Sequence, residues 1–178
     1  GLGYIGTELC KIYSGVSWSH KITVIDNRFI SERINQLRNW NIDFVHGDIL
    51  DKSLINKHCK DADIVHHLAG ITDVPRVKKD SNDSIDNQII LVGEKGTQNI
   101  LDVISDKCKI IFPSTHVVYE GLEKVKNNIN EEEGTKPVLA YAISKANNEK
   151  QLKESGKNYI ILRLGSVYGY STDTARID

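Results

Sequence analysis

Five short apolar runs rich in β-branched residues recur along the chain: 21–26 (KITVID), 42–48 (IDFVHGD), 63–70 (DIVHHLAG), 109–115 (KIIFPST) and 159–164 (YIILRL). Runs of this length and composition predict parallel strands. Between them, apolar residues return at helical spacing over 4–13, 31–39, 52–59, about 83–105 and about 138–154, which predicts crossover helices. Strand and helix signals that alternate in this way predict an α/β fold with a doubly wound parallel sheet. Two polar stretches interrupt the alternation, 71–83 (ITDVPRVKKDSND) and 120–137 (EGLEKVKNNINEEEGTKP), and their charges read as solvated loop faces. With no internal repeat and no low-complexity linker, residues 1–178 read as one domain.

Composition narrows the class of protein. A chain of 178 residues with 39% hydrophobic and 26% charged residues fits a single globular domain, which excludes disordered and fibrous classes. A formal charge of -1 leaves no electrostatic footprint for nucleic acid, and the apolar runs are too short to cross a bilayer. Cys10, Cys59 and Cys108 are widely spaced and form no CxxC pattern, so free thiols in a reducing compartment are expected. Without a signal peptide, the expected location is the cytoplasm. The chain contains no Met, which leads to the expectation that it is truncated.

The chain opens with GLGYIG, Gly1 to Gly6, a turn that normally follows a buried strand. If it starts a helix, Gly3 allows close backbone approach to a pyrophosphate, Gly6 allows tight helix packing, and the helix N-terminal amides face the phosphates. Asp26 closes the next apolar run, twenty residues beyond Gly6, where a dinucleotide site places a carboxylate for the adenosine ribose. An acid there favours NAD over NADP. A plain turn started by Asp26 and Asn27 would explain the carboxylate but not the glycines.

A second constellation lies in YAISK. Tyr141 and Lys145 are four residues apart, so on a helix they share one face. Half-ionising a tyrosine at neutral pH needs a shift of about 3 units, roughly 4 kcal/mol, which a neighbouring ammonium and an oxidised nicotinamide can supply. The phenolate would then take a proton from a substrate hydroxyl while the adjacent carbon delivers hydride. An amphipathic helix with a surface Tyr and Lys is the plainer reading. Against it stands PSTHVVY, where Ser114 and Thr115 end a strand at the edge where such a sheet holds its site. His66 and His67 follow one another on a strand and point to opposite faces, so they are not expected to share a metal.

The motifs GLGYIG, VIDN, HGDI, HLAG, GTQNIL, PSTHVVY, YAISK with Glu149, and LRLGSVYG run in one order from end to end. Together they resemble the extended short-chain dehydrogenase/reductase family, and within it the NAD-dependent epimerase/dehydratase enzymes of nucleotide sugars. The resemblance implies a Rossmann-like sheet with its first strand and its C-terminal substrate region absent from this chain, leaving an incomplete NAD-binding domain. It implies NAD as cofactor, with Gly3, Tyr4, Ile5 and Gly6 at the pyrophosphate, Asp26 and Asn27 at the adenosine ribose, and Asp48 and Ile49 at the adenine. Leu68, Ala69 and Gly70 would line the cofactor groove. Thr115, Tyr141 and Lys145 would be catalytic, with Tyr141 and Lys145 also on the nicotinamide side. Two positions depart from the family pattern, Gly93 and Ser166, each where Asn is common.

The implied activity is epimerisation of a nucleotide sugar through a transient keto-sugar. Relatives that dehydrate the sugar usually carry an acidic pair after the threonine, and here that pair is His116 and Val117. A sugar reductase or dehydrogenase, or a catalytically silent NAD-binding module, stands as the alternative; Asp26 weighs against an NADPH-driven reductase. The implied partner is a nucleotide-sugar substrate, with neither nucleic acid nor membrane, and a homodimer is a further expectation for the full-length protein.

Overall fold

The computed structural model describes residues 1–16, 20–72, 82–124 and 126–169. Helix α1 (Tyr4–Ser14) leads to β1 (Thr23–Asp26), α2 (Ser31–Asn39), β2 (Asp43–His46), α3 (Lys52–Cys59) and β3 (Ile64–His66). After these come α4 (Asp83–Val103), β4 (Lys109–Thr115), a 3-10 turn (His116–Tyr119), α5 (Ala140–Glu154) and β5 (Asn158–Leu164).

Local chemistry explains several of the boundaries. Asp51 accepts from the Leu54 amide at 3.0 Å and caps α3, while Asn82 accepts from the Ser84 and Ile85 amides and caps α4. Beyond α2, Asn41 takes a left-handed φ of 55°, letting the Ile42 amide bond back to the Leu37 carbonyl and turning the chain into β2. The strands are shorter than the apolar runs that predicted them. At 63–70 the ladder stops at His66 because the Leu68 amide turns back onto the His66 carbonyl at 3.0 Å. The 3-10 turn has no apolar period to announce it; the Thr115 hydroxyl starts it by accepting from the Val117 amide at 3.2 Å. In the loop 120–137, Lys126 pairs with Glu133 and Lys136 with Glu123 at the surface. Of the other loop, 73–81 lies outside the described residues.

All pairings are parallel. β1 lies on β2 with Asp26 opposite His46, and β4 lies between β3 and β5 with His66 opposite Ile111 and Thr115 opposite Leu164. The order is therefore β2-β1 and then, separately, β3-β4-β5. This is the Rossmann-like order with a break where the second and fourth strands of a doubly wound sheet would share a central neighbour.

The core divides in the same way. Leu2, Cys10, Val24, Ile34, Leu37 and Ile42 close one cluster between α1, α2 and the β1-β2 pair. Ile55, Ile100, Leu101, Cys108, Ile110, Phe112 and Leu152 form the other, in which α3, α4 and α5 cover β4. Among the described residues, contacts cross from one cluster to the other where Ile25 of β1 and Ile49 after β2 pack on the second cluster, where Asn99 of α4 donates to the Ile49 carbonyl, and where the Tyr13 hydroxyl of α1 meets His66 Nε2 at 2.9 Å. The three thiols are free and buried.

Because no ladder of hydrogen bonds joins β1-β2 to β3-β4-β5 among the described residues, the two strand groups should form separate cooperative units. Native-state hydrogen exchange is expected to show the β1 and β2 amides opening well before those of β4, which is paired on both sides. Equal protection across β1 and β4 would show a single cooperative unit instead.

Candidate functional site

The opening turn packs so closely that its glycines are steric requirements. A Cβ on Gly1 would lie 2.3 Å from Val24 Cγ1, and one on Gly6 would lie 2.1 Å from the Gly1 carbonyl oxygen. The turn is thereby pressed onto β1, and α1 onto the turn. Helix α1 follows Gly3 with no side-chain cap, unlike α3 and α4, and has no acid in its first turn. Intrahelical bonding starts with Thr7 donating to the Gly3 carbonyl at 2.9 Å, so the amides of Tyr4, Ile5 and Gly6 have no partner within the helix. Those amides, at the positive end of the helix dipole, suit an anionic group.

Asp26 ends β1 directly beside this turn. Its carboxylate accepts from the Leu2 amide at 2.6 Å, from the Arg28 amide at 2.9 Å and from Arg28 Nε at 3.2 Å. Burial by itself would raise Asp26. The Arg28 guanidinium and the two backbone amides hold it well below the usual carboxylate range. It is therefore a fixed anion at neutral pH, and the exposed Arg28 side chain is the donor that a ribose hydroxyl could displace.

The neighbouring loop is tied to the same strand end. Asn27 Nδ2 donates to Asp48 at 3.1 Å, Asp48 accepts the Leu50 amide at 2.8 Å, and Asn99 of α4 donates to the Ile49 carbonyl at 3.0 Å. Ile49 itself fills the space over Gly96, where a Cβ would lie 2.9 Å from it. Leu68 and Ala69 are half-buried after β3 and Gly70 is exposed. Bare helix amides, a fixed carboxylate twenty residues on and an apolar ledge at Ile49 fit a dinucleotide laid along this edge.

Across the break, Lys145 of α5 reaches the end of β4 and the Tyr141 ring. Thr115 is buried at the end of β4, and Tyr141 is half-buried in the first turn of α5. Lys145, one turn on, donates to the Pro113 carbonyl at 2.9 Å; its Nζ lies 4.5 Å from the Phe112 ring centre and 5.8 Å from that of Tyr141. The ammonium is thus fixed between the last residues of β4 and the phenol ring. Burial pushes Lys145 down to about 8, which leaves it largely charged at neutral pH.

The residues beneath these have roles that spacing alone could not supply. Glu149 is buried and accepts from Ser114 Oγ at 2.6 Å, from Arg163 Nη2 at 2.6 Å and from Arg163 Nε at 2.9 Å. Burial acts to raise Glu149, but the hydrogen bonds from Arg163 and Ser114 outweigh it and hold the carboxyl below its ordinary value. Arg163 also donates to the Tyr119 hydroxyl and, at 3.1 Å, to the Glu131 carbonyl. One buried ion pair therefore joins α5, β4, β5, the 3-10 turn and the 120–137 loop.

The adjacent histidines take opposite sides: His66 faces Tyr13, whereas His67 Nε2 meets Thr97 Oγ1 at 2.8 Å. Burial first, then the Lys145 charge, pushes His67 down to about 3, so this imidazole is neutral beneath Phe112. Among the described residues, no group of three or more His, Cys, Asp or Glu could hold a metal ion. No helix among them is long and apolar enough to cross a membrane. The departure at Gly93 has a steric reason, since a Cβ there would lie 2.0 Å from Ser144 Oγ, where α4 and α5 touch. Ser166 is exposed beyond β5.

A parallel sheet whose strand ends gather a bare helix terminus, a fixed acid and a Tyr-Lys pair defines a dinucleotide-dependent enzyme fold. The model of the NAD dependent epimerase/dehydratase family matches residues 1–177, and the chain belongs to that family. It is 33% identical over 142 residues to CDP-paratose 2-epimerase of Salmonella typhi, covering 74% of this chain and 39% of that protein. It is 31% identical over 121 residues to UDP-N-acetyl-alpha-D-glucosaminuronate decarboxylase of Bacillus cytotoxicus, covering 67% and 36%. Among solved structures, UDP-glucose 4-epimerase of Thermotoga maritima with UDP-glucose superposes with a TM-score of 0.76 at 27% identity, over 95% of this chain and 54% of that one. The chain thus spans about a third to a half of the length of these relatives.

The buried cation sets up a test of stability against function. Lys145 carries a charge that the fold disfavours, a penalty fully present below about pH 8 and gone once pH passes lysine's ordinary 10.5. Lys145→Met should raise the unfolding free energy at pH 7 by up to about 3 kcal/mol, with the gain shrinking between the two values; denaturant titrations across pH measure it. A loss of stability at pH 7 would contradict the assignment. For the ion pair, Arg163→Met leaves buried Glu149 with only Ser114 and the exposed Lys153 at 3.6 Å, and should cost up to about 3 kcal/mol. In a Glu149→Gln background the same substitution should cost less than half as much.

Proposed function

We propose that the chain forms the cofactor-binding and proton-transferring part of a nucleotide-sugar epimerase working through a transient keto-sugar, with NAD along the sheet edge. The observation that carries this reading is the placement of the Lys145 ammonium, tied to the Pro113 carbonyl and 5.8 Å from the Tyr141 ring. Membership of a family described as NAD dependent, and relatives named as epimerases, support it. The free thiols fit a reducing compartment, and the cytoplasm is the location we assign.

In this reading the amides of Tyr4 and Ile5 hold the pyrophosphate, Asp26 and Asn27 the adenosine ribose, and Asp48 and Ile49 the adenine side. Leu68, Ala69 and Gly70 line the groove towards Lys145, which holds the nicotinamide ribose. NAD, when bound, supplies the acceptor for hydride from the sugar and its return. Lys145 stabilises the Tyr141 phenolate, and that phenolate removes the proton of the sugar hydroxyl as its carbon is oxidised. Thr115 donates to the same oxygen and keeps it in line. Tyr141 would return the proton to the same oxygen once the keto-sugar is reduced again, and reduction from its opposite face would invert the configuration at carbon.

Epimerisation ranks above 4,6-dehydration because water loss needs an acid and a base next to Thr115. Val117 can be neither. The His116 ring is held at the Leu164 carbonyl, 3.2 Å from Nδ1. The test uses the full-length protein with a panel of nucleotide sugars. Tyr141→Phe should keep NAD affinity within about twofold and lose at least about a hundredfold in turnover, since general acid-base groups contribute that much. Product analysis should give a stereoisomer without net NADH. A 4-keto-6-deoxy sugar, stoichiometric cofactor consumption or an active Tyr141→Phe would each refute the reading.

A further inference from the structure

Helix α2 carries a buried arginine that no sequence motif singles out. Arg33 is 6% exposed, and its Nη1 donates to the carbonyl of Leu2, 31 residues away in the opening turn. The amide of the same residue donates to Asp26 Oδ2 at 2.6 Å. Both backbone polar groups of Leu2, itself 1% exposed, are thus held by side chains from the segment β1 to α2. An apolar side chain would fill this place between α1 and α2 without the desolvation cost that a guanidinium carries.

The direction of the hold matters. In a planar trans peptide the carbonyl and the following N–H point in opposite directions. Drawing the Leu2 carbonyl towards α2 turns the Gly3 amide away from α2. The Gly3 carbonyl is itself turned into α1, where it accepts from both the amide and the hydroxyl of Thr7 at 2.9 Å. By the same geometry the Tyr4 amide points out of the helix end, next to that of Ile5. The Gly3 and Tyr4 amides are thus turned away from the carbonyls that Arg33 and Thr7 hold, and the Ile5 amide follows them in the first turn of α1.

We infer that Arg33, acting with Asp26 through Leu2, is a positioning residue that aims the amides of Gly3, Tyr4 and Ile5 at the pyrophosphate of the cofactor. This rests on the reading of the turn as a phosphate loop. Arg33 lies behind the turn and acts on the anion only through Leu2. Its removal should therefore weaken recognition of phosphate while leaving recognition of the nucleoside intact.

The test compares ADP with adenosine as probes of the full chain, by calorimetry or ligand-observed NMR, with a thermal melt on each variant. The wild type should prefer ADP. Arg33→Gln should weaken ADP by about tenfold, the loss of one charge-assisted hydrogen bond, with adenosine affinity unchanged within about twofold. Arg33→Lys keeps the charge but not the planar fork, and should lose ADP affinity to a smaller extent and with the same selectivity; if the Gln variant does not fold, this one decides. Equal loss of both probes, or no loss of either, overturns the role of Arg33. A wild type that binds ADP no more tightly than adenosine overturns the phosphate-loop reading itself, and the inference with it.

Discussion

Parallel alignment is the constraint on which everything else in this chain rests. When every strand runs the same way, all of them finish at one edge, and each crossover helix that follows has its N-terminus there. Asp26 ends β1 at that edge and Thr115 ends β4 at it, opposite Leu164. The N-terminal turns of α1 and α5 supply Tyr4, Ile5, Tyr141 and Lys145. Strand ends and helix starts far apart in the sequence thus face the same edge without any loop having to carry them.

Two carboxylates hold that edge in shape, half-buried Asp26 on one side of the break and buried Glu149 on the other. Asp26 grips the Leu2 amide and so fixes the glycine turn; Glu149 grips Ser114, next to Thr115. Each has an arginine partner, exposed in one case and buried in the other, and each is held as an anion by its donors against the cost of burial. At Glu149, removing Arg163 would leave a buried carboxylate with only Ser114 and the exposed Lys153 beside it, so this pair specifies geometry more than it adds stability. Lys145 stands in contrast. It has a carbonyl and two aromatic rings around it in place of a counter-ion, and burial lowers its proton affinity. Such a cation costs stability and provides the field that a neighbouring phenol needs, a trade common at functional sites.

Much of this could be read along the chain. The helices at 31–39 and 52–59 coincide with the expected spans, because their periodicity is flanked by local stop signals, with Asn41 in a left-handed turn after one and Asp51 capping the other. The turn at Gly1 to Gly6, the acid at Asp26 and the Tyr141, Lys145 pair were legible because each depends on backbone sterics or on helix spacing. Strand ends were less so. An apolar run continues for as long as its side chains are buried, whereas a ladder stops when an amide finds another partner, as Leu68 does on His66.

The sequence by itself determined the elements, their alternation and the residue types gathered at the strand ends, since these follow from short-range periodicity and from the conformations that glycine, Asn and Asp permit. Only the tertiary structure decided which side chains stand behind them. Arg33 reaching Leu2, Glu149 joined to Arg163, and Gly93 making room for Ser144 all pair residues 14 to 51 positions apart. No local pattern encodes such meetings. They arise when helices close over a parallel sheet and leave each buried charge with a small set of groups within hydrogen-bonding reach.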